Sequence, residues 1–251
     1  MEYGCHIWNN CTSTNSLALE NIQIKVARIV TGARKGTSHD LLLTELGWPT
    51  LSNRRKGLKL KALINIINKK SPSYLHSLLP TKVGDGRPVS RIANNFQPFK
   101  TRTEKFKNSF IPSAIELWNS LKASNRSLLY CQQLMQAKCC PLYYFGNREN
   151  NIKHAQLRLK CSRLNYHLYL LHVIESPSCL CGNVREDSNH FLLHCPLFED
   201  FRKVLLDSIN GICKINISYK VLLYGEPHMD YSTNVRIFNA VHLYIESTKR
   251  L

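Results

Sequence analysis

The sequence predicts a mostly α-helical protein in three parts: a helical bundle over residues 1–80, a basic loop-rich linker over 81–111, and a helical C-terminal domain over 112–251. Three observations predict it. Apolar residues recur every three or four positions along most of the chain, no segment alternates cleanly enough for a strand, and Gly84, Gly86, Pro88 and Pro98 interrupt the pattern between 81 and 111. Hydrophobic residues make up 43% of the 251, enough for a core.

The elements follow in order. From Thr14 to Ala33, Leu19, Ile22, Val26, Ile29 and Val30 recur at helical spacing, and Gly32 offers a stop. A short helix capped by Ser38 ends at Gly47. Residues 50–70 read as an amphipathic helix with Leu51, Leu58, Ala62, Ile66 and Ile67 on one side. Lys69 and Lys70 suit the negative end of its dipole, and Ser71-Pro72 ends it. Past the linker, Ser113 with Glu116 has capping-box spacing ahead of Trp118 and Leu121. Residues 127–138 and 151–173 read as helical, the second with a break near Asn165. Pro196 suits the first turn of a helix over 196–210. Ser218 to Tyr224 makes a short helix closed by Gly225, and Thr233 to Lys249 carries Val235, Phe238, Val241 and Ile245 at helical spacing.

Charge divides the chain unevenly. The formal net charge is +17; residues 1–163 hold 26 basic and 8 acidic side chains, whereas 164–251 hold 8 and 9. Such an excess implies a polyanionic partner, either nucleic acid (the backbone of RNA or DNA) or an anionic membrane surface, that meets the first two thirds. The candidate contacts are Lys25 and Arg28; Arg54, Arg55, Lys56, Lys59 and Lys61 in "RRKGLKLK"; Arg87, Arg91, Lys100, Arg102, Lys105 and Lys107 in the linker; and Lys153, Arg158, Lys160 and Arg163. Lys and Arg on phosphate give sequence-independent, salt-sensitive affinity. Tyr143, Tyr144 and Phe145 offer stacking surfaces, with core packing as the alternative fate.

No apolar run approaches a membrane span, and the start "MEYGCHIWNNCTST" lacks the basic, then apolar, pattern of a secretory signal. The expectation is an intracellular protein, cytoplasmic or nuclear, without a membrane partner. The ten cysteines then read as thiols or metal ligands rather than a disulfide framework. Four ligand-type residues crowd into "SPSCLCGNVREDSNHFLLHCPLF": Cys179, Cys181, His190 and Cys195. Three thiolates and one imidazole complete a closed tetrahedral Zn2+ site, structural rather than catalytic because no open position with a nearby general base is evident. Gly182 lets the backbone turn, and Glu186 and Asp187 suit the start of a short helix carrying His190. His194 is the rival imidazole. The remaining cysteines, the Cys139-Cys140 pair among them, read as ordinary buried thiols.

With "HCPLFEDFR", this cluster resembles the C-terminal CCHC zinc knuckle of non-LTR (LINE-type) retrotransposon reverse transcriptases. "EYGCHIWNNCTSTNSLALENIQIKVARIVTGA" and "LLLTELGWPTLSNRRKGLKLKALINII" resemble the helical thumb and post-thumb region of those proteins, and "RTEKFKNSFIPSAIELWNSL" their connector. "GNRENNIKHAQLRLKCSRLN" resembles the run before the knuckle, and "LLYG" and "IFNAVHLYIESTKRL" the extreme C-terminus. The resemblance implies a thumb-like bundle, metal ligation by the same four residues, and an upstream polymerase palm as partner. It departs from the family at the catalytic centre. Reverse transcriptases hold metal ions with paired Asp, whereas the Asp here, at 40, 85, 187, 200, 207 and 230, are never adjacent. Neither a nucleophile elbow nor a Walker loop is present, since "GDGRPVS" lacks the Gly-Lys-Ser/Thr ending. The expectation is a non-enzymatic nucleic-acid-binding fragment. The alternative is a zinc-stabilised helical scaffold or protein-interaction module.

Overall fold

A computed structural model describes residues 2–84, 94–137 and 140–251. The protein is mostly helical, and the described residues contain no strand beyond a single antiparallel bridge between Lys82 and Phe96. The helices are α1 (Cys5–Trp8), α2 (Ser13–Thr31), α3 (His39–Leu46), α4 (Leu51–Ile67), α5 (Ser73–Ser77), α6 (Glu104–Lys107), α7 (Phe110–Ser120), α8 (Leu128–Met135), α9 (Arg148–Arg158), α10 (Asn165–Leu170), α11 (Glu199–Asn210), α12 (Tyr219–Tyr224) and α13 (Tyr231–Thr248). No described helix is long and apolar enough to cross a membrane.

Two compact units interleave in sequence: residues 1–23 with 49–137, and 24–48 with 138–251. These bounds differ from the expected 1–80, 81–111 and 112–251, because residues 24–48 group with the C-terminal part and 112–137 with the N-terminal one.

In the first unit α4 is central and packs against α1, α7 and α8. Thr50 caps it, accepting from the Asn53 N–H at 3.2 Å. The residues α4 buries are Leu51, Arg55, Gly57, Lys59, Leu60, Leu63, Ile64 and Ile66, a wider face than the expected stripe, whose Leu58, Ala62 and Ile67 are half-exposed. Neighbours on several sides explain the difference. At Gly57 a Cβ would come within 3.1 Å of the Cys131 carbonyl and 3.3 Å of the Leu134 Cβ, so α8 crosses α4 where α4 has no side chain. The expected capping box at Ser113 is not formed. α7 starts earlier, at Phe110, and the Ser113 hydroxyl donates back to the Ser109 carbonyl at 2.7 Å. The described part of 81–111 is more ordered than a linker: α6 lies in it, and Asn119 pins Phe96 through both main-chain groups at 3.0 and 2.8 Å.

In the second unit a core of Leu157, Leu164, Phe191, Leu192, Leu205, Ile209, Leu222, Ile237, Val241 and Ile245 gathers α9, α11, α12 and α13. The break near Asn165 falls between α9 and α10, where Lys160 turns the chain with φ +53°. A second core joins Ile24 and Ala27 to Leu42, Leu43, Leu46, Leu159 and Cys161, and a third gathers Leu142, Ala155 and Phe238. In α2 the buried positions from 23 onward are Gln23, Ile24, Ala27 and Thr31, while Ile22, Val26 and Ile29 of the expected apolar stripe are exposed. The helix carries apolar residues on more than one face, and the face with small Ala27 is the one that packs.

Candidate metal centre

The chain entering the cluster turns at Cys179, whose carbonyl accepts from the Gly182 N–H at 3.0 Å. Gly182 has φ +90°, and a Cβ there would meet nothing within 4 Å. The glycine therefore serves the backbone conformation, not a close contact. The loop then pairs back, Glu186 N–H to the Pro177 carbonyl at 2.8 Å. Asp187 caps the next turn, its Oδ1 accepting from the His190 N–H at 2.9 Å. Residues His190–His194 form one π-helical turn, closed by the Cys195 N–H on the His190 carbonyl at 2.8 Å. This wide turn places the side chains of His190 and Cys195 on the same cluster.

The four donor atoms of Cys179, Cys181, His190 and Cys195 all lie within 4.8 Å of one another. Cys179 Sγ and Cys195 Sγ are 3.7 Å apart, and Cys181 Sγ and His190 Nε2 3.3 Å. The S–S separation is far longer than a disulfide. It matches the edge of a tetrahedron with metal–sulfur bonds of about 2.3 Å, which is about 3.8 Å. His194, the rival imidazole, is outside the set. The residues thus fit a metal ion by donor type and spacing, and four protein donors fill a tetrahedron. Burial pushes the Cys179 thiol up to about 12 and raises that of Cys195, whereas the Asn183 backbone lowers that of Cys181. Proton release would accompany metal binding.

The cluster is stitched into the second unit. Phe191 and Leu192 lie in its core, and the Tyr244 hydroxyl donates to the Phe191 carbonyl at 2.6 Å. Arg202 donates to the Cys195 carbonyl. Ser188 donates to the Leu157 carbonyl at 3.1 Å and meets His167 Nε2 at 3.4 Å, while His167 Nδ1 meets Ser162 at 2.7 Å. Burial holds His167 down to about 4, so it stays neutral between two hydroxyls. Glu186 departs from its expected role. Its nearly buried carboxylate accepts from Arg250 at 2.7 and 2.5 Å and from the Asn165 N–H at 2.8 Å, tying the loop to the chain end rather than favouring the His190 turn. Arg250 lies 64 positions from Glu186, and no local signal points to that pair.

The basic candidates separate by surroundings. Lys25, Lys56, Lys61, Lys100, Arg102, Lys105, Lys107, Lys160 and Arg163 are exposed, with no ion pair among the described residues. Arg28, Arg54 and Lys153 are half-buried; Arg54 pairs with Glu2 at 2.6 Å and Lys153 with Glu149 at 2.9 Å. Three expectations are corrected. Arg55 is buried, donating to Asn9 at 3.0 Å and Ser16 at 3.0 Å beside Glu20. Lys59 is buried, donating to Asn10 at 2.9 Å and Ser113 at 3.1 Å. Arg158 pairs with Glu45 at 2.9 Å, its side chain 1% exposed. None of the three can meet a surface phosphate, because each is enclosed and already partnered. Arg87, Arg91 and Cys139 lie outside the described residues. Tyr143 donates to Glu45 at 3.0 Å, and Phe145 stacks on Phe238, so both serve packing.

No family model matches the chain, and no solved structure matches it. Over 87 residues it is 31% identical to the Retrovirus-related Pol polyprotein from type-1 retrotransposable element R1 2 of Nasonia vitripennis. The chain thus contains a region similar to part of a retrotransposable-element Pol polyprotein. The shared stretch is 35% of this chain and 21% of the relative, so it spans about a fifth of that protein's length.

Proposed function

We propose that the chain is a nucleic-acid-binding part of a non-LTR retrotransposon Pol protein, comprising thumb-like, connector and knuckle segments, and that it does not polymerise by itself. The observation that carries this reading is the surplus of exposed cations without ion-pair partners among the described residues: Lys25, Lys56, Lys61, Lys100, Arg102, Lys105 and Lys107. No ion pair among the described residues takes them, so each is open to a phosphate contact that releases counterions. The relationship to a retrotransposon Pol polyprotein supports the same reading.

Zn2+ is the ion proposed for Cys179, Cys181, His190 and Cys195, since three thiolates and one imidazole gathered within 4.8 Å suit it best. Its role is structural: bound there, it fixes the loop between Cys181 and His190. Reverse transcriptases hold their metal ions with paired Asp, and no two Asp are adjacent in the 251 residues, so an upstream palm region is the proposed source and partner.

Titrating labelled duplex and single-stranded nucleic acid at 50 and 200 mM salt tests the reading. Six phosphate contacts predict a loss of affinity on the order of a thousandfold between those conditions. Undetectable or salt-insensitive binding would overturn it.

A further inference from the structure

The second unit holds a cavity of about 420 Å3 beside the metal centre but apart from its ligands. Its walls come from four segments. The turn after α9 brings Lys160, α10 and the loop within the knuckle bring Tyr166 and Arg185, and α12 brings Tyr219, Lys220 and Tyr224. The volume is in the ordinary range for a small-ligand pocket.

The chemistry of the walls is selective. Lys160 and Lys220 are exposed and have no ion pair among the described residues. The one acid in the lining, Asp187, is taken by Arg185 at 2.8 Å. The cavity therefore keeps an uncompensated positive charge. Two of its rings are backed by guanidinium groups: Arg185 lies 4.0 Å from the Tyr166 centroid, and Arg158 5.2 Å from that of Tyr224. Arg158 is in turn held by Glu45, so Tyr224 rests on a fixed support. Tyr219 and Tyr224 remain exposed. The supported face of Tyr224, the exposed ring of Tyr219 and two unpaired lysines in one lining suit a ligand that is planar and anionic at once. A nucleotide is such a ligand, and only an unpaired one can turn its base face to a tyrosine.

We propose that this cavity takes one nucleotide of a single strand, its base against Tyr219 and Tyr224 and its phosphate on Lys160 and Lys220. The site rests on the reading of the chain as a nucleic-acid binder and adds to it a preference for single strands. RNA and DNA share the chemistry, and separate arms of the test distinguish them.

The test measures fluorescence anisotropy of the full chain with a labelled single-stranded RNA, the matching DNA strand, and the DNA duplex. Tyr219→Ala is expected to weaken single-strand binding about 5- to 100-fold and to leave duplex binding unchanged. Tyr219→Phe keeps the ring and the affinity. Lys220→Gln lowers the slope of log affinity against log salt by about 0.7 on single strands. A response confined to RNA or to DNA names the source and supports the site. Unchanged single-strand affinity in Tyr219→Ala, or an equal loss on duplex, overturns the cavity assignment while the broader reading stands. A wild-type chain that retains neither single strands nor duplex overturns both.

Discussion

The Cys–His cluster and the basic run of α4 are the two densest motifs in the chain, and the fold treats them differently. In residues 179–195 all four candidate ligands converge, within 4.8 Å. In residues 54–61 only Lys56 and Lys61 of the five cations are exposed, while Arg55 and Lys59 are buried and Arg54 is paired. The difference is one of geometry. Ligand spacing within a short loop demands that the donors meet, so the motif carries its own tertiary contacts. A charge run carries none: cations at successive helical positions point in different directions, and neighbours decide which of them stay in water.

The widest way to break this comparison is to remove a ligand. Cys195→Ser should abolish stoichiometric metal and cost the second unit on the order of 10 kcal/mol of local folding energy, with loss of cooperative thermal unfolding. Metal analysis with calorimetry reads both effects, and retained metal in this variant would show that the four residues do not act as one site.

Next comes the buried side of α4. Arg55→Ala strands Asn9 and Ser16 without their donor and is expected to cost about 3 kcal/mol in urea unfolding. A change as small as that of a surface residue would mean that Arg55 is not structural and would restore it as a contact candidate.

A smaller effect follows from His167. Its folded value of about 4 lies below the unfolded value of about 6.5. Its contribution is therefore complete above pH 6.5 and is lost as pH falls toward 4. Between pH 7.5 and 5 the wild type should lose about 2 kcal/mol more stability than His167→Gln. Equal losses would remove the buried neutral imidazole as the cause.

The smallest stability effect belongs to the exposed side of α4. Lys56→Ala should change stability by no more than about 0.5 kcal/mol. It should nonetheless lower the salt slope of duplex binding by about 1 unit. An unchanged slope would separate exposure from contact at this position.

The longer helices were readable from periodicity, the short α1, α5 and α6 were not, and several ends were: Ser127 and Ser218 accept from the Tyr130 and Val221 N–H, and Gly47 and Gly225 follow α3 and α12 at positive φ. Facing was less readable. α2 presents apolar residues on two sides, and its exposed Ile22, Val26 and Ile29 formed the more regular stripe. α4 is surrounded, so no single stripe describes it. The cavity residues Tyr166, Arg185, Tyr219 and Lys220 come from segments tens of residues apart, and no spacing rule connects them.

The sequence by itself determined the helical class, the positive charge of the first two thirds and the identity of the clustered ligands, because composition, period and short-range spacing are properties of the chain. Tertiary structure alone decided which cations remain in solvent, that Glu186 is bound by Arg250, and that residues 24–48 join the C-terminal unit. Those outcomes depend on which distant surfaces exclude water together, and burial is a property of the assembled neighbours rather than of any one segment.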